Sequence, residues 1–478
     1  MEEKKGIGLF GLIGMVISSC IGSGVFALTG QVAQVASPGG SLVAWLVIGG
    51  GFLLFALALN NLVAKRPDLN GVFSYATEGF GPLAGFLSGW GYWLSAWLGN
   101  VAFATMMMMS TLGYFFPAFL AGNTLPCILL ASVLNWLLTL LIIRGVESAS
   151  ALNAIVMVCK VISIGIFIVF AIFLFKAGVF TADFWGQVYD NAVAAGEYGA
   201  EAAGLGGIGS QVMNCMIIMM WVFIGIEGAA VVSSRAEKKS DAGKATVIGI
   251  ICLLVIYIGA SVLPFGYLSY TEIAAMEKPA MLYVFEQMAP GWGGSFISIA
   301  IIVCIAGAWL FFTILPTETS SEMAAAGLLP KSWGDLNSKG APQRSLLITA
   351  ACVQAFLIVT MFSEDAYNFA FSMCTVAIVV TWVFVSLFQC KISASRSEWG
   401  QFAIGAVVTI FLVVGCLYNG WSFMLLTCAG YIPGFALYVL ARRKQFLKIA
   451  TGEQIAMVVI SALGVASLVM VAAGVITI

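Results

Sequence analysis

Residues 16–26 read Val16-Ile17-Ser18-Ser19-Cys20-Ile21-Gly22-Ser23-Gly24-Val25-Phe26, in the middle of an apolar segment that runs from 7 to 33. A helix that only had to span a bilayer would not carry two glycines and three serines there, because each glycine costs about 1 kcal/mol of helix propensity relative to alanine. In lipid, a broken backbone is tolerated only where it lines a protein cavity. A second interruption lies five segments later, at Trp221-Val222-Phe223-Ile224-Gly225-Ile226-Glu227-Gly228, with two glycines and one carboxylate. Either stretch alone reads equally well as small-residue helix packing. Interrupted spans at matching positions of two halves point instead to the binding site of a secondary transporter.

The rest of the chain agrees with a membrane setting. It has 478 residues, 61% hydrophobic and 9% charged, with a mean hydropathy of +1.03. Soluble domains do not have this composition; polytopic membrane proteins do. A net charge of −1 argues against a nucleic-acid partner. With no histidine, histidine triads, histidine metal sites and the usual imidazole switch are all excluded. The 11 cysteines are scattered through apolar runs without a Cys-x-x-Cys pair, so they read as packing residues rather than as a metal or disulfide set. No nucleophile–base pair suggests an enzyme, no Walker A sequence suggests ATP use, and no cofactor is expected. Met1-Glu2-Glu3-Lys4-Lys5 leads straight into a full-length span, which does not read as a removable signal peptide.

Hydropathy gives thirteen apolar segments: 7–33, 41–64, 83–119, 125–143, 151–176, 211–233, 245–269, 294–325, 346–362, 367–389, 401–417, 421–441 and 454–476. The expectation is an all-α polytopic membrane protein with 12–13 transmembrane helices. With the N-terminus in the cytoplasm, 18 of the 21 Lys+Arg fall on the inner side. The exceptions are Lys160, Lys176 and Lys278, so the positive-inside rule supports this orientation. The loop at 177–210 is acidic, reads as a mobile external loop with a short helix near 181–188, and separates two five-span halves. The expected division is 1–176 for the first half, 177–210 for the extracytoplasmic loop, 211–389 for the second half and 390–478 for accessory helices 11–13.

Ionisable groups at membrane depth are expensive and usually functional. Lys160, in the middle of the fifth segment, has two readings: a structural cation holding helices together, or a proton carrier. Glu227 follows the second break, where it could attract a cationic substrate, couple a proton to gating, or serve packing. Glu318 and Glu322 read as the solvated end of a long helix or as a cytoplasmic vestibule. Trp221 and Trp309 lie too deep for an interfacial belt and are candidates for cavity lining, where an aromatic face suits a guanidinium or ammonium by about 0.5–2 kcal/mol.

These stretches, together with Gly89-Trp90-Gly91-Tyr92-Trp93-Leu94-Ser95-Ala96-Trp97-Leu98-Gly99-Asn100, Leu112-Gly113-Tyr114-Phe115-Phe116-Pro117 and Ser233-Ser234-Arg235-Ala236-Glu237-Lys238, resemble the amino acid–polyamine–organocation superfamily. Within it, the chain is similar to the basic amino acid/polyamine antiporters of arginine/ornithine type. The resemblance implies a LeuT-type 5+5 inverted repeat with discontinuous helices 1 and 6, in the inner membrane. Gly22, Ser23 and Gly24 would then meet a substrate carboxylate, and carbonyls near Cys20, Trp221 and Ile224 an α-ammonium. Trp221 matches the family's gating tryptophan and Trp309 its side-chain-lining aromatic. Asn100 and Tyr92 match segment-three polar and outer-gate positions, and Glu227 a gating carboxylate. Lys160 matches a lysine that stands where other relatives hold sodium. Relatives are often homodimers.

The implied activity is exchange of a cationic amino acid for its metabolic product. Histidine/histamine or lysine/cadaverine exchange is the near alternative, proton-coupled uptake the mechanistic one, and a receptor or channel the rival from another class. Segment eight departs from the family pattern, with Pro316 and Glu318 following Trp309-Leu310-Phe311-Phe312-Thr313-Ile314-Leu315.

Overall fold

The computed structural model describes residues 8–69, 71–145, 147–198, 202–228, 237–363 and 365–476. Lys4, Lys5 and residues 229–236, Arg235 among them, lie outside the described residues. Every regular element among the described residues is helical. The first apolar segment is two helices, α1 (Leu9–Cys20) and α2 (Gly24–Val35), bent by 52° where they meet. Then follow α3 (Pro38–Lys65, with a π-turn at Trp45–Gly49), α4 (Val72–Phe80), α5 (Pro82–Met107), α6 (Leu125–Arg144) and α7 (Glu147–Phe173). After the long loop come α8 (Ile208–Trp221), α9 (Lys239–Val262), α10 (Ala280–Met288), α11 (Gly293–Ala325), α12 (Gln343–Val359), α13 (Ala366–Ile392), α14 (Trp399–Lys444) and α15 (Thr451–Ala472).

Among the described residues ten helices are long and apolar enough to cross a membrane, or eleven with the bent α1–α2 pair. Two further elements sit at the remaining apolar segments: α5, diluted by glycine, serine and indole groups, and α8, a short apolar helix that stops at Trp221. Segments eleven and twelve are two spans, as expected, within one helical run, α14, of 46 residues. Its composition resolves into two spans, Arg396–Tyr418 and Gly420–Lys444. A straight helix of that length would measure about 69 Å against a hydrocarbon core of about 30 Å. Gly405 packs on Ser386 and Cys390, while Tyr438 packs on Phe86 at the same end of the molecule, so the chain reverses between the two spans.

The core is built around α5 and α13, which run antiparallel. The Thr381 hydroxyl donates to the Ser88 carbonyl at 2.7 Å. Ser95 Oγ lies 3.2 Å from Cys374 Sγ. A Cβ on Gly91 would sit 2.9 Å from the Ala377 carbonyl oxygen, so this close backbone approach requires glycine. Lipid tails give no hydrophobic drive for helix association, and small residues with interhelical hydrogen bonds supply the contact instead.

The described residues of the 177–210 loop are held by hydrogen bonds of Asp183 and Asp190. Its helices are Ala177–Thr181 and Gln187–Ala194, either side of the expected one, because Gly186 turns left-handed (φ +80) between them. Asp183 accepts from the amides of Val188 and Tyr189 and from the Tyr270 hydroxyl. Burial and that hydrogen bond hold the Tyr270 phenol well above its ordinary pKa. Asp190 accepts from the Leu205 and Gly206 amides. Asp183 and Asp190 thus serve as internal acceptors.

Candidate functional site

The two breaks lie against each other. Gly22-Ser23 leaves α1 without its next turn, and the amides of Ser23, Gly24 and Val25 open α2 with no intrahelical acceptor. Those donors, at the positive end of the helix dipole, form a site suited to a carboxylate. A Cβ on Gly24 would stand 2.8 Å from Trp221 Cδ1 and from Val222 Cγ1, and one on Gly22 would stand 2.9 Å from Phe103 Cε1. Both glycines are therefore required by side chains that approach the backbone.

After Trp221 the chain turns through residues 222–227 instead of continuing as a helix. Gly225 adopts φ +105. Ser19 Oγ donates to the Gly225 carbonyl at 2.8 Å, and the Cys20 thiol approaches the Phe223 carbonyl at 3.7 Å. From α9, the Tyr257 hydroxyl donates to the Val222 carbonyl at 2.7 Å. Of the expected ammonium acceptors, the Cys20 carbonyl receives the Gly22 amide and the Trp221 carbonyl the Ile224 amide, each keeping a second lone pair.

Trp221 is buried across the junction. Its ring lies 5.9 Å from Phe103 and 6.0 Å from Phe371. Its Nε1–H donates to the Tyr367 hydroxyl at 3.2 Å, and that hydroxyl lies 3.5 Å from Ser23 Oγ. One indole thereby ties together α2, α5, α8 and α13. Tyr367 also lines a second small cavity with Gln31, Met106, Met276 and Lys278. At that end Lys278 pairs with Asp365, Asp365 accepts from Asn368, and Asn368 accepts from Gln31.

On the other side of the second break is a cavity lined by Tyr92, Ser95, Ala96, Ile224, Gly225, Glu227, Phe312, Leu315 and Ile378. Its volume, about 10 Å³, admits a single water. Glu227 is 1% exposed, and Trp382 Nε1–H donates to its Oε2 at 3.3 Å. Asn100 gives its Nδ2–H to Thr313 Oγ1 at 3.1 Å, and Thr313 gives its own proton to the Trp309 carbonyl at 2.8 Å. Asn100 Oδ1 and Trp309 Nε1 are buried with no partner among the described residues, an unusual state for polar atoms at such depth. Pro316 lies inside α11 and has no N–H for the carbonyl of Phe312 four residues earlier. A helix carbonyl of a cavity-lining residue thus lacks its usual donor.

The structure brings Cys20, Gly22, Ser23, Gly24 and Trp221 together at the breaks, and Tyr92, Ile224 and Glu227 at the cavity. It does not bring Trp309 into the cavity wall; Phe312, one turn on, takes that place. Lys160 is 1% exposed and donates to the Ser18 carbonyl at 2.9 Å, at the C-terminal end of α1 where a cation is favoured. Trp90, Trp93 and Trp97 stack on one another and on Trp333, away from the site. Sequence reasoning missed Phe103, Tyr257, Tyr367 and Trp382. Each is an aromatic inside a long apolar run, and for the tyrosines and the tryptophan the only signal was that a buried hydroxyl or indole N–H needs a partner.

A multi-pass membrane fold with two juxtaposed interrupted elements is that of a permease, and the chain belongs to the amino acid permease family, whose model matches residues 7–425. It is similar to the arginine/ornithine antiporter of Latilactobacillus sakei, 52% identical over 448 residues covering 92% of each chain. It is also similar to the arginine/ornithine antiporter ArcD1 of Lactococcus lactis subsp. cremoris, 45% identical over 97% of this chain and 89% of the relative. An arginine/agmatine antiporter of Chlamydia caviae is 34% identical over 93% of this chain and 91% of the relative.

Proposed function

We propose that the chain exchanges arginine for ornithine across the inner membrane, with the N-terminus cytoplasmic, by alternating access. The observation that carries this reading is the apposition of the 52° break between α1 and α2 with the 222–227 turn, bridged by Trp221. The names of the relatives supply the substrate pair. In this reading residues 1–176 and 211–389 are inverted repeats, 177–210 is the outer loop and 390–478 is accessory.

The substrate carboxylate docks on the amides that open α2, and the α-ammonium docks on the spare lone pairs of the Cys20, Trp221 and Ile224 carbonyls. The side-chain cation extends toward the cavity, where Glu227 offers negative charge and the Phe312 carbonyl an acceptor; Asn100 Oδ1, outside the cavity wall, is a further acceptor once a wall moves. A cavity of about 10 Å³ is far below the roughly 300 Å³ at which small-molecule pockets begin. Binding therefore requires a wall to move. Trp221 with its Tyr367 partner is the movable wall on one side, and Glu227 with Trp382 the one on the other. Lys160 braces the end of α1 so that the break keeps its angle. Exchange follows if the empty site reorients slowly and either substrate speeds it.

Counterflow tests this reading. Proteoliposomes loaded with unlabelled ornithine, and given no ion gradient, should accumulate labelled arginine, while empty vesicles should not. Agmatine-loaded vesicles run alongside, because one similar protein bears that substrate in its name. Accumulation into empty vesicles driven by a pH gradient would replace exchange with proton-coupled uptake.

A further inference from the structure

We propose that the groove between the second half of α14 and α15 binds one anionic phospholipid, with an acyl chain along the groove and the phosphate on Arg443. The proposal rests on the membrane-spanning fold and is independent of the transport reading. The groove holds about 640 Å³ and is walled mainly by Phe435, Val439, Leu440, Met457 and Val458, with Gln454 and Ser461 also in its lining and Arg443 at one end. Both its walls face lipid: Val458 is 67% exposed and Leu440 43%, and only 17% of the most apolar window of α15 is buried. Phe435 to Arg443 spans eight residues, about 12 Å along a helix, close to half of a hydrocarbon core of about 30 Å. The groove therefore has the length of one leaflet and the mostly apolar lining of an acyl-chain slot.

Its charged end is basic. Arg442, Arg443, Lys444 and Lys448 fall within seven residues. Arg442 donates from Nη2 to the Lys448 carbonyl at 3.2 Å, which folds the connecting loop back over the helix end. Arg442 Nε has no partner among the described residues. The acid at this end, Glu453, is committed: its oxygens accept from the Leu83 amide, the Tyr438 hydroxyl and the Ala450 amide. An excess of positive charge therefore remains at the mouth, and clustered basic residues beside a membrane helix attract anionic headgroups. Phe446 projects from the same loop 96% exposed, on a backbone at φ +56 that a non-glycine residue rarely adopts. A ring held outward there is placed for the headgroup layer, where amphipathic and aromatic anchors collect.

The test compares dioleoylphosphatidylglycerol with dioleoylphosphatidylcholine added to the purified full chain in neutral detergent, read by unfolding midpoint and by lipid adducts in native mass spectrometry. A ligand that binds only the folded chain raises the midpoint, so the anionic lipid should exceed the zwitterionic one by about 2 °C or more. Arg443→Glu should remove most of that difference by reversing the headgroup contact. Ala436→Trp should remove it by filling the slot while leaving every charge in place; if that variant aggregates, Leu440→Trp replaces it. Equal effects of the two lipids on the wild type would overturn the proposal, as would a full phosphatidylglycerol effect in both variants. A dimer in lipid nanodiscs that Ala436→Trp converts to monomer would also overturn it, assigning the groove to a second copy of the chain.

Discussion

The two interrupted elements reach the same result by different means. The α1–α2 break is local: Gly22 and Gly24 stand where side chains would strike Phe103 and Trp221, and the following helix supplies its own free amides. The 222–227 turn is held from outside, by Ser19 on the Gly225 carbonyl, Tyr257 on the Val222 carbonyl and Trp382 on the Glu227 carboxylate. One break offers donors and the other offers carbonyls and a carboxylate. A zwitterion with a cationic side chain needs both, in that arrangement. The second break also depends on the first, because Gly225 is folded against the backbone of Ser19.

That dependence predicts a ranking. The largest loss is expected from Gly225→Ala, whose Cβ would sit 2.8 Å from the Ser19 carbonyl carbon and oxygen on a backbone at φ +105. Backbone cannot step aside, so left-handed strain and overpacking together cost about 2–5 kcal/mol. Little monodisperse protein should survive, and a variant as stable as wild type would mean that the two breaks are not locked together. Gly22→Ala meets the edge of the Phe103 ring, which can shift, so about 1–3 kcal/mol is expected. Phe103→Leu should recover part of it in the double variant's unfolding midpoint; additive losses would deny the contact. The smallest effect is expected from Ser19→Ala, which removes one hydroxyl link between the breaks and costs about 1 kcal/mol. Its arginine exchange should slow while arginine binding changes little, and an unaltered rate would show the link to be incidental.

The first break could be read in the sequence because its cause is local: glycines and serines clustered inside an apolar run weaken the helix at the very residues where it stops. The second was visible only through Gly225 and Glu227, since its supports, Tyr257 and Trp382, lie 35 and 155 residues from their acceptors. Tyr367 escaped notice for the same reason, sitting at the start of α13 while its partners are on α2 and α8. Hydropathy located all thirteen apolar segments, and it divided α14 into the two spans between which the chain reverses, because hydropathy registers the thickness of the bilayer and not the continuity of the helix. Trp309 is assigned to the cavity by its depth and by the family resemblance. Depth fixes the level on a helix, whereas the wall that faces the cavity is set by rotation, and that rotation presents Phe312.

The central claim is that the Trp221 indole bridges the two breaks and must move for exchange, without that side chain holding the charged ends of the substrate. The most direct measurement is arginine binding and arginine/ornithine counterflow made side by side on Trp221→Ala in the same preparation. Binding should remain within about tenfold of wild type, the 1.4 kcal/mol or so that one stacking contact supplies, while exchange is abolished. Exchange at the wild-type rate would contradict the account and place the gate elsewhere.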